Sequence, residues 1–266
     1  MNRPPAVAGR FYPDDEGALR QQVRALLGEP LGDASVVACI SPHAGYMYSG
    51  AVAGDVFRRL RVPPVTVVLG PNHTGRGARA AIMSHGRFTL PGGAMPIDSA
   101  VAEELRAVAL LTEDSVAHQT EHSLEVQLPF LLHRNPKTRL VPVCLGRLPF
   151  ESCMRIGSAL ADIVIRHGRD VLLVASTDMS HYLPAEEAAR LDGMALEPIQ
   201  ALDAEALYRT VFDNDISMCG VIPTTVVLAA AKALGATEAV VHRYTHSGTV
   251  SGDHSRVVGY AGVTIR

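Results

Sequence analysis

Three stretches of the chain share one pattern. Val36-Val-Ala-Cys-Ile40 leads into Ser41-Pro-His43-Ala-Gly45, and Val65-Thr-Val-Val-Leu69 leads into Gly70-Pro-Asn72-His73-Thr-Gly75. Val171-Leu-Leu-Val-Ala175 leads into Ser176-Thr-Asp178-Met-Ser-His181. Each is a short, unbroken apolar run followed by small, turn-forming residues that carry a histidine. An unbroken run of Val, Ile and Leu reads as a strand buried on both faces, the habit of parallel sheets covered by helices. In open α/β sheets ligands bind beyond the carboxyl ends of the strands. If these three strands are parallel neighbours, His43, His73 and His181 arrive at one sheet edge with Asp178 beside them. A single loop histidine is ordinarily a surface or hydrogen-bonded residue. Three in equivalent positions, flanked by Pro, Gly and Ser that let the backbone approach a ligand, point to a metal or acid/base site.

Outward from these strands, helical and β patterns alternate. Leu19, Val23, Leu26 and Leu27 fall at helical spacing over Asp14–Leu27, with Gly28 as the stop. Helices are also predicted at Ala51–Leu60 and Ala100–Leu111, the latter behind the capping candidates Asp98 and Ser99. Glu121–His133 reads as a helix that Pro129 should kink or shorten. Further helices are predicted over the Ile156, Leu160, Ile163 and Val164 face, over Ala185–Tyr208 in two pieces, and over Pro223–Leu234. Arg139–Leu145, Ala239–Tyr244 and Val257–Ile265 complete the strands. The fold class is therefore α/β: a single domain over 1–266 with a central, largely parallel (mixed) sheet flanked by helices.

Composition narrows the function. Lys and Arg number 24 against 27 Asp and Glu, a net charge of −3. That balance argues against nucleic-acid binding, which calls for a basic excess on one face. Hydrophobic residues make up 47%, which excludes wholesale disorder. No apolar stretch is long enough to span a membrane, and the first ten residues lack the apolar core of a signal peptide, so a cytoplasmic location is expected. Cys39, Cys144, Cys153 and Cys219 show no CxxC spacing and read as reduced thiols. The absence of GK[ST], G-x-S-x-G and a strand-following G-x-G-x-x-G disfavours nucleotide-driven and α/β-hydrolase chemistry.

Other residues are open to two readings. His118 and His122 stand four apart and would share a helical face, with Glu121 and Glu125 nearby. HExxH is absent, so supporting or structural roles are as well founded as metal ligation. Cys219, in Ser217-Met-Cys-Gly220, precedes a helix and is either a small buried apolar residue or a thiol influenced by that terminus. His85, His133 and His167 lie at element ends and read as solvent-facing. Tyr46 and Tyr48 flank the first histidine loop, either as cleft wall or as core.

Taken in order, Ala6-Val-Ala-Gly-Arg-Phe-Tyr-Pro13, Ser41-Pro-His-Ala-Gly-Tyr46, Gly70-Pro-Asn-His73, Glu121-His-Ser-Leu-Glu125, Ser176-Thr-Asp-Met-Ser-His-Tyr182, Met218-Cys-Gly220 and Val257-Val-Gly-Tyr-Ala-Gly262 resemble the Memo family, known in prokaryotes as AmmeMemoRadiSam system protein B. The resemblance spans essentially the whole chain. It implies a fold similar to the LigB-type class III extradiol dioxygenases, non-haem iron enzymes that open catechol rings. It also implies His43, His73 and Cys219 as ligands for iron or copper, and Asp178 and His181 as lining of the same pocket. The dioxygenases hold iron with two histidines and a glutamate, and a further histidine serves as acid/base. Here Cys219 stands in place of the carboxylate and His181 in the acid/base position. A thiolate is a softer, oxidisable ligand, so ring cleavage does not follow from the resemblance.

Three functions are consistent with these readings. In the first, a non-haem metal redox protein binds iron through His43, His73 and Cys219, with His181, oriented by Asp178, moving protons. In the second, a binding module works with the radical-SAM protein and the AMMECR-like protein that the family name implies as partners. The third is a zinc hydrolase built on two histidines and a cysteine.

Overall fold

The three histidine-ending strands are indeed parallel neighbours at the centre of one large sheet. The computed structural model describes residues 2–32, 36–168 and 170–266. In chain order the strands are β1 (Asn2–Arg3), β2 (Ala38–Ser41), β3 (Val65–Pro71), β4 (Ala80–Ile82), β5 (Arg87–Leu90) and β6 (Gly93–Pro96). They continue as β7 (Thr112–Glu113), β8 (Arg139–Leu145), β9 (Val171–Ser176), β10 (His181–Leu183), β11 (Ala239–His246) and β12 (Val257–Ile265). The helices are α1 (Glu16–Leu27), α2 (Tyr46–Phe57), α3 (Ser99–Val108), α4 (Leu128–Arg134) and α5 (Phe150–Arg166). After them come α6 (Ala185–Gln200), α7 (Ala204–Asp213), α8 (Val221–Ala233) and the single turn α9 (Gly248–Ser251).

The main sheet runs β10-β12-β2-β9-β3-β8-β4-β7, and β11 pairs antiparallel with β12 from Gly259 to Ile265. Strands β2, β9, β3 and β8 are mutually parallel, while β12 and β4 run antiparallel against the two sides of this block. Every residue of β2 and β9, and all of β3 but Val65, is buried. That burial is the reason their sequences show no alternation. Helix α2 lies on β2, β11 and β12 with α1 and α4 packed around it; α8 lies on β2, β3 and β9 with α5 and α7 beside it. The α5–α8 contact is unusually close. A Cβ at Gly157 would lie 2.7 Å from Ala229 Cβ and 2.9 Å from Val226 O, so only glycine fits there. No helix among the described residues is long and apolar enough to cross a membrane.

The predicted elements differ from the structure in instructive ways. α2 starts at Tyr46, behind Gly45, five residues before the predicted Ala51. The predicted helix Glu121–His133 is replaced by a loop, a short 3-10 turn at Glu125–Gln127, and α4. Pro129 lies in the first turn of α4, where its missing N–H costs nothing, so it opens the helix and does not kink one. Upstream, the Glu121 carboxylate accepts the amides of Ser123 at 2.9 Å and His73 at 2.7 Å, so the side chain ties its own loop to the end of β3. His118 lies in a separate 3-10 turn, Val116–His118, so it shares no helical face with His122. A second sheet, β1-β5-β6, and the short β4, β7 and β10 have too few residues to show a period.

His118 is buried, donates from Nδ1 to Asp114 O at 3.0 Å, and sits edge-on to Phe88. Burial pushes its pKa down to about 4, against the weaker pull of the Asp114 carbonyl. Between pH 4 and 6.5 the unfolded chain therefore binds the proton that the folded chain refuses. The contribution to stability is complete above pH 6.5 and is lost as the pH falls toward 4, reaching about 2 kcal/mol at pH 5. Urea melts at pH 7.5 and pH 5 should show a smaller loss of stability for His118→Met than for the parent chain. Equal losses in the two would show that His118 is not the group refusing the proton.

Candidate metal centre

The register of the central strands brings the histidine loops together. Ser41 of β2 lies opposite Ser176 of β9, and Leu69 of β3 lies opposite Ala175. The chain leaves all three strands at one level. His43 and His73 follow within two residues of their strand ends, and their rings meet edge-on with centroids 5.1 Å apart. His122 joins them from the loop before α4. Its ring stacks on His73 at 4.6 Å and meets His43 edge-on at 5.4 Å. One donor nitrogen from each of His43, His73 and His122 lies within 4.8 Å of the others, the only such group of three among the described residues.

Hydrogen bonds fix two of these rings in the form a metal needs. Ser176 Oγ donates its single proton to Ser123 O at 2.6 Å and accepts from Gln127 Nε2 at 2.8 Å. Its third contact, with His43 Nδ1 at 2.9 Å, must then be donated by the ring. His43 thus carries its proton on Nδ1 and turns a bare Nε2 toward the cluster. His73 Nδ1 donates likewise to Glu121 Oε1 at 2.8 Å. Burial raises the Glu121 carboxyl, but the His73 N–H, the field of that ring and the Ser123 amide outweigh it and bring its pKa down to about 2. Glu121 is therefore an anion that holds the ring from behind, the usual arrangement behind a metal-bound histidine. Burial and the neighbouring rings drive the His43 pKa well below its ordinary value and the His122 pKa down to about 4, so both imidazoles are neutral at pH 7. Neutral imidazole is the form that binds metal.

Cys219 comes from the loop ahead of α8, and its Sγ lies 3.3 Å from His43 Nε2. It accepts the Asp178 amide at 3.3 Å. A Cβ at Gly220 would lie 2.4 Å from Thr177 Cβ and 2.5 Å from Ser176 O, so glycine is what allows this loop to reach the end of β9. Burial and the nearby Asp178 push the thiol upward, which keeps it protonated until a cation replaces the proton.

Asp178 is buried, and its Oδ1 accepts the His43 amide at 2.7 Å. Burial raises its carboxyl, opposed by that amide and the surrounding histidines. The His181 ring is held by Ser217: its Nδ1 donates to Ser217 O at 2.9 Å and its amide to Ser217 Oγ at 2.7 Å. The orienting group for His181 is therefore a backbone carbonyl and not the Asp178 carboxylate the sequence suggests. Its Nε2 is left free to take or give a proton.

The ligand set expected from the sequence is His43, His73 and Cys219; the group whose donor atoms lie within 4.8 Å of one another holds His122 as its third member, while Cys219, 3.3 Å from His43 Nε2, stands outside that group. The signal for His122 was there in Glu121-His-Ser-Leu-Glu125, but assigning that block to a helix paired His122 with His118, which lies elsewhere. Cys39, Cys144 and Cys153 are buried free thiols, as expected, and Tyr46 is core, its hydroxyl donating to Val126 O at 2.8 Å.

The chain is similar to known proteins in sequence and fold. A crystal structure of an uncharacterized Escherichia coli K12 protein matches with a TM-score of 0.52 at 17% identity, covering 84% of this chain and 98% of that one. It shows the fold: an α/β domain with a mixed sheet flanked by helices. A MEMO1 family protein of Methanopyrus kandleri is 39% identical over 281 residues, covering 100% of this chain and 99% of its own. A MEMO1 family protein of Aquifex aeolicus is 40% identical over 263 residues, covering 98% of each. The family model described as Memo-like protein matches residues 3–264, and the chain therefore belongs to the Memo family.

Proposed function

We propose that the protein is a non-haem metal-binding redox protein whose centre is held by His43, His73 and His122, with Cys219 as a fourth donor beside His43. The observation that carries this is the convergence of three imidazoles, two of them tied back through Nδ1, on one space within 4.8 Å. The donor set fits a first-row transition ion: imidazole suits iron, copper and zinc, and thiolate adds preference for softer or more oxidised states. Iron is the reading supported by resemblance to the dioxygenases. When bound it would supply electrons to O₂ or to a substrate at its open positions.

The chain's own residues supply the rest. Glu121 and the Ser176–Gln127 pair keep the ligand rings turned inward. His181, fixed at Nδ1 by Ser217, moves a proton at Nε2, and Asp178 holds the His43 backbone while contributing a buried carboxyl to the same wall. A second reading has one specific observation in its favour, the presence of Cys219 where the dioxygenases carry a carboxylate. In it the cleft is kept for binding alone, in company with a radical-SAM protein and an AMMECR-like protein. Equal recovery of the radical-SAM protein by wild type and a metal-free variant would favour this reading.

Anaerobic titration with Fe(II) should give one bound ion per chain, and uptake should be lost in His43→Ala and His73→Ala. His122→Ala and Cys219→Ser should each weaken it. Unchanged uptake in both His43→Ala and Cys219→Ser would remove the site, and elemental analysis of protein grown without added metal separates iron from zinc. Replacing the supporting anion, Glu121→Gln, should raise the metal Kd by about 10–100-fold while leaving all four donors in place. An unchanged Kd would show that Glu121 does not support His73.

A further inference from the structure

Arg3 lies far from the strand ends in sequence, yet it is buried, and its donors are spent largely on the loop that carries His122. Its Nε donates to His118 O at 2.9 Å, one Nη donates to Glu121 O at 2.5 Å, and the other pairs with the Glu125 carboxylate and reaches Pro4 O at 3.1 Å. The guanidinium also sits over the Phe88 ring, 4.9 Å from its centroid. Glu125 gathers the same segment from the other side, accepting the amides of Ala6 at 2.8 Å and Val7 at 3.1 Å and the hydroxyl of Tyr12. Phe11 then packs on the His122 ring at 4.9 Å, and its carbonyl accepts the Tyr46 amide at 2.7 Å, next to the loop of His43. Residues 3–12 thus grip both loops that supply the cluster. A buried ion pair is poor value as a source of stability alone, since burial of the charges offsets most of the attraction. What this one does is fix where Glu121 and His122 stand.

We propose that residues 3–12 form a positioning segment thermodynamically coupled to the metal centre: their docking sets the affinity of the cluster, and metal binding in turn tightens their docking. The inference rests on the metal-centre reading above. Arg3 and Phe11 are positioning residues, acting through Glu121 and His122. Reciprocity is required by linkage: if docking of the segment favours the ion, the ion must favour docking to the same extent.

Co(II) serves as the probe, with the full-length chain, because its visible spectrum reports ligand geometry. Saturating Co(II) should slow amide hydrogen exchange at Ala6 and Val7 by about tenfold or more. Arg3→Lys, which keeps the charge beside Glu125 but not the fork onto His118 and Glu121, should raise the Co(II) Kd by about tenfold and shift the spectrum of the saturated protein. Phe11→Leu, at a half-buried position and milder for folding, should do the same while leaving the melting temperature of the metal-free chain within a few degrees. Exchange at Ala6 and Val7 indifferent to Co(II), together with wild-type Kd and spectrum in Phe11→Leu, would overturn the coupling while leaving the metal centre intact. A wild-type chain that takes up no Co(II) sinks the metal centre itself, and the coupling with it.

Discussion

Parallel pairing of β2, β9 and β3 is the constraint from which the rest of the molecule follows. Parallel strands hydrogen-bond in a fixed register, and here the register sets Ser41, Ser176 and the end of β3 at one level. Because each strand must be reached by a crossover, the sheet is covered by helices, and its strands become apolar on both faces. The loops that leave the common edge therefore rise from the most rigid part of the structure. Side chains placed one or two residues beyond it are positioned by the sheet itself, the condition for a site that holds its geometry without an occupant.

Around that edge the protein buries an unusual set of polar groups: Glu121, Glu125, Arg3, Asp178, Ser176 and Gln127. Each would be costly if left alone, and each is used. Glu121 takes a ring N–H and two amides; Glu125 takes two amides, a phenol and a guanidinium. The two carboxylates, four residues apart, do different work. One faces the cluster and fixes a ligand ring, and the other faces away and fixes the backbone that carries the first.

Much of this was legible in the sequence, for identifiable reasons. Unbroken Val/Leu/Ile runs mark buried parallel strands directly, and three repeats of strand–small residues–histidine locate the sheet edge without any knowledge of the fold. His122 escaped because local pattern and tertiary demand disagree there. Glu121-His-Ser-Leu-Glu reads as helix, while in the fold the Glu121 side chain is spent on the His73 ring and amide, a partner 48 positions away. Arg3 and Glu125 were equally hidden, being separated by 122 positions in the chain. The strands of two to four residues have no period to detect, and α2 begins at Tyr46, ahead of the Ala-rich stretch that marks it in the sequence. The orienting role given to Asp178 failed on a subtler point. A backbone carbonyl, that of Ser217, has no signature in a list of side chains.

The saturated hydroxyl of Ser176 carries a consequence of its own. With one proton given to a carbonyl that cannot return it and both lone pairs occupied, Ser176 has nothing left to exchange, so the inner nitrogen of His43 has no neighbour able to receive its proton. The ring is insulated on its protein side. Any proton that His43 gains or sheds must travel by the outer face, through Nε2, and the apolar interior behind β2 and β9 is kept out of its circuit.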